Sequence, residues 1–232
     1  KSDRDGLICY RTMVPNQRFI DTIGLVCPFL YLYSFVYNYS DAKYLADKLI
    51  TNYINYGFIS NYYVPYHSYN IINNVPEGLI GWGRGLGWFL LGITERYRVL
   101  RSNEAKQMLV NFAERIAIYQ NENGGVGWII TEKNTYDSSI TAIYAYFYIT
   151  CYYATSKQKY KDIALKSFDI LRKSTRKSGA IDYSQGDTKG IGMYSSFFSI
   201  LPFTQGVALL ALEQLDQGVL YYETSFKDRA VN

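Results

Sequence analysis

Four long, largely apolar segments recur along this chain, each preceded by a loop rich in Gly, Asn or Asp. The segments are RFIDTIGLVCPFLYLYSFV, GWGRGLGWFLLGITERY, YDSSITAIYAYFYITCYY and LPFTQGVALLALEQL. They start near Asp21, Arg84, Ser139 and Gln205, roughly 60 residues apart, and such a regular interval indicates stacked units of supersecondary structure. Because the apolar runs are too long for strands, we predict four helices that are surrounded by protein on all sides.

Three segments of a different kind lie between the apolar ones. They are SDAKYLADKLITNYI, SNEAKQMLVNFAERIAIY and SKQKYKDIALKSFDIL. Each has an apolar stripe at helical spacing and a charged opposite face, which is typical of a helix at the edge of a fold. Each opens on a serine, Ser40, Ser102 or Ser156, which we expect to cap the helix.

The alternation of inner and outer helices predicts an all-α fold built from αα-hairpins. Such hairpins stack into a helical solenoid or close into a toroid. The length of 232 residues fits one domain, and we assign residues 1–232 to it. If the inner helices run parallel, their N-terminal loops meet at one end of the fold.

Composition excludes several classes of partner. The 24 basic and 20 acidic residues are scattered, so no nucleic-acid surface is expected. No segment is long and apolar enough to predict a membrane span. The three cysteines, Cys9, Cys27 and Cys151, lack the spacing of a disulfide framework or a zinc site, and we predict no metal.

The cysteines also favour a reducing compartment, so we expect a cytoplasmic protein. The chain begins at Lys1 and not at Met. A signal peptide upstream of Lys1 would make the periplasm the alternative.

Arg84 is the residue that capping and packing explain least. A cation near a helix N-terminus opposes the helix dipole, so an anionic group should compensate for it. The guanidinium is a good receptor for a carboxylate, and the alternating glycines around it would let a ligand approach the backbone. Trp82 and Trp88 either stack on a sugar or pack, and His67 lies in a nearby loop. No P-loop or dinucleotide fingerprint is present.

Asp21, Ser139 and Gln205 also have structural interpretations. Asp21 and the Asp137-Ser138-Ser139 group have the chemistry of helix caps, and Gln205 could close a turn. The 25 tyrosines suit both the rim of a core and a sugar-binding cleft.

Five motifs, in order, resemble those of the unsaturated uronyl hydrolases, glycoside hydrolase families 88 and 105. FIDTIGLVCPFL is similar to their Asp-Thr and Pro-Phe-Leu signature, and GWGRGLGW to their Trp-Gly-Arg-Gly-x-Gly-Trp signature. PYHSYN, DSSITA and PFTQGVALLALEQL resemble their His-containing loop and their later Ser-x-Thr-Ala and Gln-Gly segments. The matches run from about residue 6 to residue 215.

This resemblance implies an (α/α)6 toroid that binds an oligosaccharide or polysaccharide bearing a uronic acid. Asp21 would protonate C4 of an unsaturated terminal uronic acid and activate water for attack at C5. Arg84 and His67 would hold the carboxylate and hydroxyls, and no cofactor is implied. The resemblance and the loop positions together predict a substrate-binding set of His67, Trp82, Arg84, Trp88, Ser139 and Gln205.

The chain departs from the family's pattern at its N-terminal side. A second aspartate, which the family carries in its N-terminal third, has no counterpart here. A ring of six hairpins would need roughly 360 residues, so we predict a toroid that is incomplete in this chain. About two hairpins would precede Lys1, or another chain would cover the gap, as in an oligomer.

Three functions remain open from the sequence. The favoured one is a hydrolase of unsaturated uronyl oligosaccharides. The alternative is a noncatalytic relative that binds glycan in the synthesis or processing of a surface polysaccharide. A sugar epimerase on the same kind of toroid would use histidines as acid and base, and the presence of a single histidine argues against it.

Overall fold

A computed structural model describes residues 6–217 of the chain. Four helices form the inner layer and three the outer layer. The inner helices are α1 (Asp21–Tyr37), α3 (Gly83–Leu100), α5 (Ser138–Thr155) and α7 (Pro202–Gln217), and the outer ones are α2 (Ser40–Tyr56), α4 (Asn103–Ile116) and α6 (Gln158–Lys173). Neighbouring inner helices pack side by side, and each of α1, α3 and α5 also packs on the outer helix that follows it. The predicted all-α architecture is confirmed as an arc of a partial α/α toroid.

Short strands join the loops that precede the inner helices. The largest sheet is antiparallel, in the order β1 (Gln17–Phe19), β4 (Ser68–Asn70), β5 (Pro76–Glu77). Two hairpins complete the set, β2 (Phe58–Ile59) with β3 (Val64–Pro65) and β6 (Ser184–Gln185) with β7 (Phe198–Ser199). Phe19 pairs with Ser68, and the Ile20 amide donates to the His67 carbonyl at 3.0 Å. The β1–β4 pairing therefore places His67 beside the start of α1.

Many tyrosines lie in the core and bond between elements. The ring of Tyr148 is fully buried and its hydroxyl donates to the Ala113 carbonyl of α4 at 2.7 Å. Tyr53 donates in the same way to the Tyr66 carbonyl at 2.8 Å. A buried phenol needs such a partner, so these side chains both fill the core and join α5 to α4 and α2 to the β3–β4 loop.

The glycines of the GWGRGLGW motif serve helix packing. A Cβ on Gly83 would lie 2.3 Å from the Gly127 carbonyl oxygen, and one on Gly87 would lie 2.5 Å from Ile143. Only Gly81, with φ +72, also needs the left-handed backbone region. The prediction that these glycines let a ligand approach the backbone is wrong at Gly83 and Gly87, because Gly127 and Ile143 already occupy the space beside them.

Only one of the three predicted serine caps forms. The Ser102 hydroxyl accepts from the Ala105 amide at 3.1 Å, whereas Ser40 is already the first residue of α2, and its preceding N-cap residue makes no side-chain cap bond. Ser156 does not cap α6, because the N-cap of that helix is Lys157. Ser156 is instead the C-cap of α5 and has a left-handed conformation, with φ 58. Among residues 6–217, no helix combines the length and apolarity required to cross a bilayer.

Candidate functional site

A cavity of about 360 Å³ opens at the N-terminal ends of α1 and α3. Four predicted site residues, Asp21, Trp82, Arg84 and Trp88, contribute to its wall. The other lining residues are Tyr10, Leu25, Asp187, Thr188, Leu201 and Phe203. The loops before the inner helices thus meet at one end of the fold, as the parallel arrangement predicts.

Asp21 is the first residue of α1 and not its N-cap, which is Ile20. Its side chain is 13% exposed. The buried oxygen Oδ2 accepts no hydrogen bond from the described residues, and it lies 3.2 Å from Nε2 of His67. The carboxyl group is therefore held at the cavity wall with little of its hydrogen-bonding capacity used.

His67 lies beside Asp21 and is almost fully buried. Its ring is enclosed by those of Phe19, Trp82 and Tyr194, with centroid distances of 5.4, 4.6 and 5.4 Å. Nδ1 lies 2.7 Å from the Tyr194 hydroxyl. His67 is not among the residues that line the cavity, so its contact with the site runs through Asp21.

The turn after β5 approaches His67 closely at Gly78. Gly78 has φ +86, and a Cβ there would lie 2.8 Å from Cβ of His67. The next residue, Leu79, donates its amide to the Tyr194 hydroxyl at 2.9 Å. The backbone of this turn therefore fixes the phenol that contacts His67.

Arg84 lines the cavity and anchors the segment after β6. Its Nη1 and Nη2 donate to the carbonyls of Gln185 and Gly186 at 2.5 and 2.6 Å. The guanidinium carbon also lies 5.6 Å from the centre of the Trp82 ring, and Trp82 Nε1 donates to Oε1 of Gln185 at 2.9 Å. A guanidinium has five N–H donors, so these two bonds leave others for a ligand, and the contact of Arg84 with a substrate carboxylate stays a prediction.

Asp137 caps α5 and is fully buried. Its Oδ1 accepts from the amides of Ser139 and Gln185 at 2.8 and 3.1 Å. Burial raises the pKa of Asp137, while the charge of Arg84 and these hydrogen bonds act in the opposite direction. The carboxyl therefore joins the start of α5 to strand β6.

Ser139 and Gln205 do not line the cavity. Ser139 is fully buried, and its hydroxyl has no hydrogen-bond partner among the described residues. Gln205 Oε1 accepts from the Ile181 amide at 2.8 Å, and Nε2 donates to the Ile181 carbonyl at 2.9 Å. Gln205 therefore joins the start of α7 to the backbone at Ile181, and the contact of Ser139 and Gln205 with substrate stays a prediction.

Trp88 and Phe203 form an aromatic wall of the cavity. Their rings are 4.6 Å apart with an interplanar angle of 44°, and both line the cavity. Trp88 belongs to α3 and Phe203 to α7. The wall therefore forms only when the second and fourth inner helices are brought together.

Sequence reasoning missed the cavity residues that come from irregular segments. Asp187 and Thr188 follow β6, and Tyr10 lies in the N-terminal segment. Burial and the nearby charge of Asp21 raise the pKa of Tyr10. These segments have no helical periodicity, and the only available signal was the glycine-rich stretch QGDTKGIG ahead of α7. Within residues 6–217, no group of three or more His, Cys, Asp or Glu side chains could hold a metal ion.

Comparison with protein families matches residues 1–215 of the chain to Glycosyl Hydrolase Family 88. Similar solved structures include a possible member of the GH105 family from Salmonella enterica serovar Paratyphi A, with 17% identity and a TM-score of 0.82 over 94% of this chain. An unsaturated glucuronyl hydrolase from Bacillus sp. GL1, described as responsible for the degradation of glycosaminoglycan, has 18% identity and a TM-score of 0.72 over 92% of this chain. An unsaturated glucuronyl hydrolase specific for heparin has 19% identity and a TM-score of 0.70 over 89%.

These likenesses establish the α/α toroid fold. The chain spans 62%, 63% and 62% of the lengths of those three structures, in the order given. No match was found among curated proteins.

Proposed function

The chain belongs to glycosyl hydrolase family 88, and from this premise we propose that it acts as a glycosidase. The observation that carries the proposal is the placement of Asp21. Its carboxyl lies at the cavity wall, and one of its oxygens accepts no hydrogen bond from residues 6–217. A carboxyl group at a cavity wall with so few internal partners is within reach of a ligand and is of the type that serves as a general acid and base.

The cavity also has the features of a sugar site. Trp88 and Phe203 present aromatic surface, which packs well against the apolar faces of sugar rings. Arg84 lies in the same wall and has N–H groups beyond those that bond Gln185 and Gly186. Arg84 is therefore the cationic group of this cavity that would pair with the carboxylate of an acidic sugar.

The proposed substrate is an oligosaccharide that ends in an unsaturated uronic acid with a C4=C5 double bond. Two similar structures are unsaturated glucuronyl hydrolases, which motivates this choice. Asp21 would give its proton to C4, and water would bond to C5 as its proton passes to the Asp21 carboxylate. The resulting hemiketal would open and release the linked sugar, leaving Asp21 protonated as at the start.

The first experiment compares an unsaturated uronyl disaccharide with its saturated counterpart. We expect the unsaturated compound alone to be consumed, with loss of the ultraviolet absorbance of its double bond. Asp21→Asn should lower turnover by about 10²- to 10⁴-fold, since it deletes the transferable proton. Asp169→Asn is the matched control, because Asp169 lies on the outer helix α6, and it should retain full turnover.

Two outcomes would contradict the proposal. Undiminished turnover by Asp21→Asn would remove Asp21 from the chemistry. Tight binding of both disaccharides by the wild-type chain, with no turnover of either, would favour the noncatalytic glycan-binding alternative.

A further inference from the structure

The two ring nitrogens of His67 have different neighbours, and the difference determines which nitrogen bears the proton. Nδ1 lies 2.7 Å from the Tyr194 hydroxyl, and Nε2 lies 3.2 Å from Oδ2 of Asp21. We propose that Tyr194 is a positioning residue that donates its hydroxyl proton to Nδ1, holds His67 as the Nε2–H tautomer and so directs an N–H group at Asp21.

The direction of the Tyr194–His67 bond follows from the other partners of the phenol. The Leu79 amide donates to the Tyr194 oxygen at 2.9 Å, so one of the two lone pairs of that oxygen is already used. A ring nitrogen without a proton can only accept, and Nδ1 is that nitrogen when the proton is on Nε2. The O–H group is then the part of Tyr194 that remains to bond Nδ1.

The contact at Asp21 supports the same tautomer. Oδ2 is a buried acceptor that receives no hydrogen bond from the described residues, and Nε2 of His67 lies 3.2 Å from it. An Nε2 without a proton would place a second acceptor 3.2 Å away, which is unfavourable in a poorly solvated site. With the proton on Nε2, a donor faces the acceptor instead.

The surroundings of His67 leave few hydrogen-bond partners for its ring other than Tyr194 and Asp21. The ring is 2% exposed, and Phe19 and Trp82 cover it at centroid distances of 5.4 and 4.6 Å. Burial raises the pKa of Tyr194, and the charge of Asp21 adds to this, although the Leu79 amide opposes it. The phenol therefore keeps the proton that it donates.

This arrangement has a consequence that rests on the proposed function. If Nε2–H faces Oδ2, that oxygen acts as an acceptor. The proton that Asp21 transfers to substrate would then reside on Oδ1. Tyr194, which does not line the cavity, would act on the reaction only through His67.

The experiment uses the fact that the chain has a single histidine. The full chain is labelled with ¹⁵N-histidine, and the long-range ¹H–¹⁵N spectrum is recorded at about pH 8, above the ordinary titration range of histidine. We expect one protonated nitrogen, assigned to Nε2, and one unprotonated acceptor, assigned to Nδ1. A spectrum with the proton on Nδ1 would overturn the proposal.

Tyr194→Phe then tests the cause. It keeps the ring and removes the hydroxyl, so the two ¹⁵N shifts should move toward each other as the tautomers exchange. Tyr183→Phe is the matched control, since Tyr183 is 57% exposed in the same region of the chain, and its spectrum should equal that of the wild type. An unchanged spectrum in Tyr194→Phe would also overturn the proposal.

Turnover gives a separate readout of the consequence. On an unsaturated disaccharide, Tyr194→Phe should lower kcat by about tenfold and leave KM within about twofold, as expected for a displaced reacting group. The spectra decide the role of Tyr194 whether or not the chain turns over this substrate. A failure of the proposed function is therefore distinguishable from a failure of this inference.

Discussion

The starts of α1 and α5 both carry an aspartate, and the two aspartates have opposite surroundings. Asp137 is the N-cap of α5, is fully buried and accepts from the amides of Ser139 and Gln185. Asp21 is one position further into its helix and lies at a cavity wall beside His67. Each carboxyl keeps one buried oxygen, Oδ2, that accepts no hydrogen bond from the described residues. The first carboxyl joins backbone segments, and the second remains available to a ligand.

Position in the helix and the neighbouring loop together give the two aspartates their different roles. A side chain at the N-cap can reach the free amides of its own helix, whereas one at the first helical position points away from them. Strand β6 supplies a second amide to Asp137, from Gln185. At Asp21, the neighbour supplied by the loop is the ring of His67. Within residues 6–217, Asp137 therefore bonds backbone amides and Asp21 does not, because the two residues differ by one helix position and are packed against different loops.

The largest expected effect is a difference in stability between variants of the two aspartates. Asp137→Ala leaves the Ser139 and Gln185 amides without their acceptor, and we expect a loss of about 2–5 kcal/mol in the free energy of unfolding. Asp21→Ala removes a favourable charge from the first turn of α1 and the acceptor beside Nε2 of His67, which together should cost about 1–2 kcal/mol. Urea denaturation followed by circular dichroism measures both. Equal losses would show that Asp21 is as structural as Asp137.

Arg84, at the start of α3, provides the next test because it acts at both sites. Its charge acts to lower the pKa of Asp137, and its side chain lines the cavity together with Asp21. Arg84→Lys should weaken binding of an acidic disaccharide by about 10- to 100-fold, since lysine cannot reproduce the planar fork.

The matched ligand for this test is a neutral disaccharide of the same size, measured by calorimetry with the same variant. We expect its affinity to fall much less than that of the acidic one. Equal losses for the two ligands would assign Arg84 to anchoring Gln185 and Gly186 alone.

The smallest expected effect concerns pH. Burial places the pKa of Asp137 in the folded protein above its ordinary value, which is about 3.9. The stability contributed by this residue is therefore complete below about pH 4 and is lost as pH rises through the raised pKa. Asp137→Asn has no titrating carboxyl at this position and lacks this pH-dependent contribution. The free energy of unfolding of the variant, relative to that of the wild type, should therefore increase from about pH 4 upward.

Asp169→Asn is the control of opposite sign. Hydrogen bonds from Lys173 and Arg172 lower the pKa of Asp169, so the stability that this residue adds is complete above its ordinary pKa of about 3.9 and is lost as pH falls through the lowered pKa. The stability of the Asp169→Asn variant relative to the wild type should therefore fall as pH rises toward about 4 and stay level above it. Urea denaturation at a series of pH values measures both differences, and a level difference for Asp137→Asn above about pH 4 would contradict the assignment for Asp137.

The helices were predictable because their signal is local and repeated. The four inner helices begin at Asp21, Gly83, Ser138 and Pro202, each within three residues of the start predicted from the sequence. Capping was less predictable, since Ser102 caps α4 while Ser40 and Ser156 do not cap α2 and α6. A cap depends on the helix beginning at one exact residue, and the packing of the preceding turn decides this.

The site was predictable only in part, for a related reason. Asp21, Trp82, Arg84 and Trp88 lie at helix starts and meet at the cavity. Ser139 also lies at a helix start, yet the chain buries it behind Asp137 and strand β6. Position along a helix shows which end of the fold a residue reaches, and it does not show which side chains face the ligand.

The order of residues was enough to predict the all-α class, the alternation of inner and outer helices and the end of the fold where the inner helices begin. Helical periodicity and glycine spacing are local properties, so they are visible in the order of residues. Only the tertiary structure placed Tyr194 against His67, turned two Arg84 donors toward Gln185 and Gly186, and separated Asp21 from Asp137 by their partners. These contacts join residues far apart in sequence through loops without periodicity, and a loop's path is decided by what it packs against.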